Sequence, residues 1–168
     1  MNNIYLIGFM GSGKSSVGEK LSLLLGYNYV DTDQAVEEAY NKKIVDIFSD
    51  EGEQAFRTYE SKMLQKVSVG ESVISTGGGL IESEQNIKEM KNAGIIIYLE
   101  ASYNTIYNRL KTDLSRPLWN QNREKQEALY EKRIQLYRTC ADEKFLTDDK
   151  TIDAIATEIK YHIVNNSN

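Results

Sequence analysis

Four residue types are nearly missing from this 168-residue chain: it has one cysteine (Cys140), one histidine (His162), one proline (Pro117) and one tryptophan (Trp119). A single cysteine forbids an intrachain disulfide, and with it a disulfide-stapled secreted fold. One cysteine and one histidine are too few for a Cys/His zinc site, and the histidine near the chain end does not suit a Ser-His-Asp triad. Basic residues are the minority, 20 Lys+Arg against 25 Asp+Glu for a formal charge of −5. That balance argues against a nucleic-acid partner, although a local basic patch can still hold phosphate. No apolar run approaches the roughly 18 residues of a membrane span, and residues 1–16 carry no basic segment of the signal-peptide kind. The expectation is a cytoplasmic protein with no membrane and no nucleic-acid partner.

What remains is ordinary globular usage, with 40% hydrophobic and 27% charged residues, enough for one domain spanning residues 1–168. Ile4 to Ile7 is a short apolar run closed by Gly8, which reads as a buried strand. From Lys14 the period turns helical: Val17, Leu21, Leu24 and Leu25 share a face, and Gly26 supplies the stop. Tyr29-Val30 predicts a second strand, and Val73-Ile74-Ser75 a third. Ile95 to Leu99 is branched and without alternation, which suits a central parallel strand covered on both faces. A weak fifth strand is expected near Phe145. Helical patterns cover about Gln34–Tyr40, Glu53–Val67, Ser83–Asn92, Ser102–Leu110 and Glu124–Cys140, and a last helix carries Ile152, Ile155, Ile159 and Ile163. Residues 111–122 lack a period and read as a mobile loop. Alternating strands and helices predict the α/β class, with a parallel sheet between two helical layers.

Gly8-Phe9-Met10-Gly11-Ser12-Gly13-Lys14-Ser15 matches G-x-x-x-x-G-K-[ST] and lies between a predicted strand and a predicted helix. The glycines let successive backbone N–H groups point inward at an anion, and the helix N-terminus adds partial positive charge. Lys14 brings a point charge to the outer phosphates, and the Ser15 hydroxyl is placed to ligate Mg²⁺. Such a loop predicts a nucleotide but does not name an acceptor.

The acceptor candidates are weaker one by one. Asp31-Thr32-Asp33 closes the second strand, at the sheet edge where ligands collect. An acidic side chain there can orient hydrated Mg²⁺ or take a hydroxyl proton; equally, Asp33 can N-cap a helix starting at Gln34. Arg57 has Glu60 three residues on, so a helical ion pair is its ordinary reading. Gly77-Gly78-Gly79 suits either close approach to an oxyanion or a plain flexible connection. Ser75, just upstream, sits where it can reach a metal-bound water. Arg116, in the stiff Arg116-Pro117-Leu118 step, is either a solvated loop residue or a group that swings over a transferring phosphoryl. Arg133 shares its helix with Arg123, Lys125, Lys132 and Arg138, a basic face that is solvated unless something is bound. Cys140 reads as a small buried residue and His162 as a helix residue outside any site.

Taken in order, GFMGSGKSS, DTD, DIF with EQAFR, STGGG, SRPLW and KRIQLYR resemble the shikimate kinase family over nearly the whole chain. The resemblance implies a single three-layer P-loop domain with a five-stranded parallel sheet in the nucleoside-monophosphate-kinase style. It further implies an acceptor-binding region at about 32–60, a mobile lid at about 111–123, and a monomer. The implied reaction is transfer of the ATP γ-phosphoryl to the 3-hydroxyl of shikimate, with Mg²⁺ as cofactor. The resemblance makes Asp33 the shikimate-binding catalytic base, with Lys14 and Arg116 at the transferring phosphoryl. Arg57 and Arg133 become the carboxylate grip, Gly77, Gly78 and Gly79 the ring platform, and Phe48 and Phe56 apolar walls. Gly11, Ser12, Gly13, Lys14, Ser15 and Ser16 hold ATP, Arg109 lies against adenine, and Ser15 ligates Mg²⁺ directly while Asp31 and Ser75 act through water. Residues 147–151 should contact adenine but carry no decisive signature. The rivals are a kinase for gluconate or a nucleoside monophosphate, and a nucleotide switch without transfer chemistry. Six arginines are few for a nucleotide acceptor, and a small carboxylate fits Arg57 and Arg133 better.

Overall fold

The computed structural model describes residues 3–68, 70–111, 119 and 122–166. Its five strands are β1 (Asn3–Ile7), β2 (Asn28–Asp31), β3 (Ser72–Ser75), β4 (Gly94–Glu100) and β5 (Glu143–Leu146). They form one sheet in the order β2-β3-β1-β4-β5, and every pair is parallel. Burial follows that order. Every residue of β1 and β3 is buried, while the edge strands β2 and β5 hold exposed residues.

The helices are α1 (Lys14–Leu25), α2 (Thr32–Tyr40), α3 (Ile44–Asp50), α4 (Glu53–Val67), α5 (Glu84–Ala93), α6 (Tyr103–Leu110), α7 (Arg123–Cys140) and α8 (Ile152–Asn166). The period of two along each strand divides them between two cores. Ile4 and Leu6 of β1, with Ile97 and Leu99 of β4, meet Val17 and Leu21 of α1 and Ile155 and Ile159 of α8. Tyr5, Ile7, Ile96 and Tyr98 turn the other way, toward Met90, Ile106, Ile134 and Tyr137 of α5, α6 and α7. The three-layer α/β expectation therefore holds. A third, smaller core joins Val36, Ile47, Phe56 and Met63 of α2, α3 and α4 beside the end of β2.

One local expectation changes. The sequence pattern predicts no element over residues 41–52, and α3 lies there, set by Ile47, which is fully buried. In the expected mobile loop, Trp119 is 2% exposed and its ring meets Phe9, Tyr103 and Tyr107 at centroid distances of 6.0, 6.1 and 6.5 Å. A polar neighbourhood in sequence does not keep an indole in water when an aromatic cluster is within reach. Residues 112–118 and 120–121, and with them Arg116 and most of the expected lid, lie outside the described residues.

Candidate active site

Residues 8–13 turn from the C-terminal end of β1 into α1, and Gly13 occupies the N-cap at φ 98°, a left-handed backbone that favours glycine. No side chain caps this helix, so its first N–H groups stay available to an anion. Lys14 Nζ donates to the carbonyls of Gly8 (2.8 Å) and Phe9 (3.1 Å), folding the lysine over its own loop. Arg109 of α6 donates to the Gly11 carbonyl at 2.8 Å. The loop opens onto a cavity of about 460 Å³ whose lining includes Gly11 to Ser16, Asp31, Asp33, Gly78 and Arg109. Thr147 and Lys150, from the turn between β5 and α8, line the same cavity; nothing in the sequence of that turn singles them out.

Asp31 uses both carboxylate oxygens. Oδ1 accepts from the backbone N–H of Asp33 (3.0 Å) and Gln34 (3.3 Å), and Oδ2 accepts from Ser15 Oγ at 2.7 Å. Asp31 is thus the N-cap, and α2 begins at Thr32. The alternative in which Asp33 caps a helix from Gln34 is corrected: Asp33 sits in the first turn with its side chain on the cavity. Ser15 and Asp31 place two hard oxygens beside the phosphate loop. Magnesium takes few protein oxygens and completes its shell with phosphate and water, so this pair fits it.

The three glycines after β3 each face a different side chain. A β-carbon on Gly77 would lie 2.2 Å from Glu60 Oε1 and 2.6 Å from Asp33 Oδ1. On Gly78 it would meet the Tyr137 hydroxyl at 3.3 Å and Arg133 Nη1 at 3.4 Å, and on Gly79 the Arg57 guanidinium carbon at 2.5 Å. Any side chain at the first or last position would displace a charged group. The triglycine is therefore a platform on which Asp33, Glu60, Arg57 and Arg133 converge from α2, α4 and α7.

Each arginine has a carboxylate partner. Arg57 pairs with Glu60 and, at 3.0 Å, with Glu53; the ordinary i,i+3 ion pair is present, on a side chain that also lies on the platform. Burial pushes the Glu60 carboxyl up to about 7, and Asp33 adds to the rise while Arg57 and Arg133 oppose it. Arg133 is 1% exposed, so the solvated basic face is wrong for this residue. Its Nε donates to Glu82 Oε1 at 3.0 Å. The Tyr137 hydroxyl, fully buried, donates to the Gly78 carbonyl and fixes the middle of the platform. A second groove of about 550 Å³ lies beyond, with Arg57, Glu60, Gly79 and Glu82 in its lining.

Other expected residues fall further back. Ser75 is buried and its hydroxyl donates to the Lys14 carbonyl at 2.8 Å. It steadies the start of α1 from behind the phosphate loop. Phe48 and Phe56 pack on each other at 5.0 Å in the small third core, and line neither cavity. Cys140 is buried, which pushes its thiol up to about 11. His162 lies on α8 with Nε2 3.0 Å from Glu143 Oε1. The residues sequence reasoning missed are Glu60 as a buried group, Glu82 and Tyr137. One signal was available: Glu60 falls in the helical stripe of Phe56, Met63 and Leu64, where a glutamate must be buried.

Comparisons with known proteins show what this chain is similar to. The family model described as shikimate kinase matches residues 10–164. A shikimate kinase of Persephonella marina is 43% identical over 160 residues, covering 95% of this chain and 97% of the relative. A shikimate kinase of Bacillus cereus (strain AH187) is 40% identical over 166 residues, covering 97% and 99%. Among solved structures, the shikimate kinase of Acinetobacter baumannii in complex with shikimate superposes with a TM-score of 0.94 at 34% identity, covering 99% of this chain and 94% of that one. With the family model spanning most of its length and relatives this similar along nearly all of it, the chain belongs to the shikimate kinase family.

Proposed function

We propose that this chain transfers the γ-phosphoryl of ATP to the 3-hydroxyl of shikimate, giving shikimate 3-phosphate and ADP, in the shikimate pathway of aromatic amino-acid biosynthesis. The observation that carries the reading is the convergence of Asp33, Arg57 and Arg133 on one triglycine platform beside the phosphate loop. Shikimate bears a carboxylate at one end and three hydroxyls at the other. Two guanidinium forks suit the carboxylate, and a carboxylate suits the hydroxyls.

Gly11 to Ser16 and the N-terminus of α1 hold the nucleotide phosphates, and Lys14 swings from the carbonyls of Gly8 and Phe9 to the outer phosphates. Ser15 directly, and Asp31 through water, would hold Mg²⁺, which would supply positive charge against the phosphates. Arg109, with Thr147 and Lys150, borders the part of the cavity assigned to the nucleoside. Asp33 orients the 3-hydroxyl in line with the γ-phosphorus and takes its proton at a carboxylate oxygen as the new O–P bond forms and the bond from the γ-phosphorus to the β–γ bridging oxygen breaks, that oxygen leaving on ADP. In a loose phosphoryl-transfer transition state, positioning and charge stabilisation supply most of the barrier reduction. Arg116 is assigned to the spreading charge from its place in the sequence pattern. Arg57 and Arg133 fix the far end of the ring, so that only one hydroxyl reaches the phosphoryl. The domain is proposed to act as a cytoplasmic monomer with residues 32–60 as its acceptor region and 111–123 as its lid.

The test is ADP release from MgATP with and without shikimate, beside gluconate and a nucleoside-monophosphate panel. Stimulation by shikimate alone is expected. Stimulation by gluconate or a nucleotide instead, or by none of them with the nucleotide still bound, rejects the acceptor assignment.

A further inference from the structure

Glu82 closes the 3₁₀ turn Leu80–Glu82 directly after the triglycine. Its two oxygens are divided: Oε1 takes Arg133 Nε at 3.0 Å, with Arg133 Nη2 also 3.0 Å away, and Oε2 takes Lys132 Nζ at 2.5 Å. Arg133 itself is buried, and its Nη1 end points at Gly78. A guanidinium is planar, and a partner on the Nε–Nη2 edge settles its rotation. We propose that Glu82 is a positioning residue for the acceptor: it fixes Arg133 so that the edge facing Gly78 is the one offered to the substrate carboxylate.

The inference rests on the carboxylate grip proposed above. Platform and clamp are set by one short segment, since Gly77 to Gly79 carry the platform and Glu82, three residues on, sets the arginine above it. Arg57 has no such arrangement, because both its carboxylate partners belong to its own helix. Burial pushes the Glu82 carboxyl up, but Lys132 and Arg133 outweigh it and hold it below the ordinary glutamate value. It is therefore ionised when the substrate carboxylate arrives. Without Glu82 the buried guanidinium would turn or withdraw to find another acceptor.

A purely structural Glu82 would tie α7 to the 3₁₀ turn and nothing more. Steady-state kinetics on the full chain separates the two. Glu82→Ala is expected to raise the shikimate KM about tenfold with the ATP KM unchanged, because only the acceptor's carboxylate senses the rotation. Glu82→Gln keeps an oxygen for Arg133 Nε and should restore most of the loss. Combining Glu82→Ala with Arg133→Ala should raise KM no further than Arg133→Ala alone. If Glu82→Ala does not fold, Lys132→Ala loosens Glu82 from the outside and should raise the shikimate KM about twofold to threefold. A parent-like shikimate KM in the readable variant, parallel rises for ATP, or additive effects in the double variant overturn the inference while Arg133→Ala still raises KM. If the parent ignores shikimate, or Arg133→Ala leaves its KM unchanged, the carboxylate grip fails first and Glu82's role fails with it.

Discussion

Arg57 and Arg133 face the same triglycine, yet the two ion pairs that hold them bury opposite partners. In the first pair the acid is buried: the Glu60 side chain is 1% exposed against 20% for Arg57. In the second the base is buried: the Arg133 side chain is 2% exposed against 27% for that of Glu82. The carboxyls respond in opposite directions, Glu60 raised by burial and Glu82 lowered by its two cations. Which member of an ion pair has lost its water decides whether the pair holds its proton or its charge. One arm of the site is thus a buried cation, and the other is a partly exposed cation beside an acid pushed up to about 7.

Asp33 meets the platform at Gly77 beside Glu60 and is the proposed base, so its substitution should have the largest effect. Asp33→Asn is expected to lower kcat by roughly 10²- to 10⁴-fold, the usual range for a positioned base, with the fold intact by circular dichroism. A folded Asp33→Asn protein with parent-like kcat would remove Asp33 from the proton transfer. The arginines come next. Arg133→Ala should raise the shikimate KM roughly 10- to 100-fold, as expected for a lost charge-assisted hydrogen bond, with the ATP KM little changed. Arg57→Ala should raise it less, about threefold to tenfold, because that guanidinium is partly exposed and shared with Glu53. Equal effects from the two would erase the asymmetry.

The third prediction concerns pH. Glu60 binds its proton more tightly folded than unfolded, so the stability it contributes falls as pH rises from its ordinary 4.5 to about 7. The Tm of the parent should therefore fall relative to Glu60→Gln across that window and run parallel above it. Glu82 has the opposite sign: its stabilisation is present at neutral pH and is lost as pH falls through its lowered value. Parallel Tm–pH curves for the parent and Glu60→Gln would show that Glu60 is not raised. The smallest effect belongs to Tyr137→Phe. The variant keeps the stacking on Tyr98 at 5.2 Å but loses the hydroxyl on Gly78, and should cost about 1 kcal/mol by denaturant melts.

The phosphate loop was legible because its parts are consecutive. Strand, glycines, Lys14 and helix follow one another, and the spacing carries the chemistry. The acceptor site was legible only as an ordered set of weak signals, since Asp33, Arg57, the triglycine and Arg133 come from four distant segments. The misjudged residues share one cause. Arg133 lies in the buried stripe of α7 with Tyr130, Ile134, Tyr137 and Cys140, as Glu60 does in α4. A charged residue inside an apolar stripe has to find a partner elsewhere in the fold, and a single sequence does not say where. Trp119 is the converse, an aromatic in a polar stretch whose ring partners are Phe9 of the phosphate loop and Tyr103 and Tyr107 of α6, while Gln126 of α7 donates to its carbonyl.

By itself, the sequence determined the α/β class, the parallel sheet and the anion-binding turn, because periodicity, glycine placement and helix termini act over a few residues. Only the tertiary structure decided that Glu82 holds Arg133, that Ser75 ties β3 to the start of α1, and that Asp31 rather than Asp33 caps α2. The first two depend on contacts between segments 51 and 61 residues apart, and the ion pairs also on how much water each charge has lost when they meet.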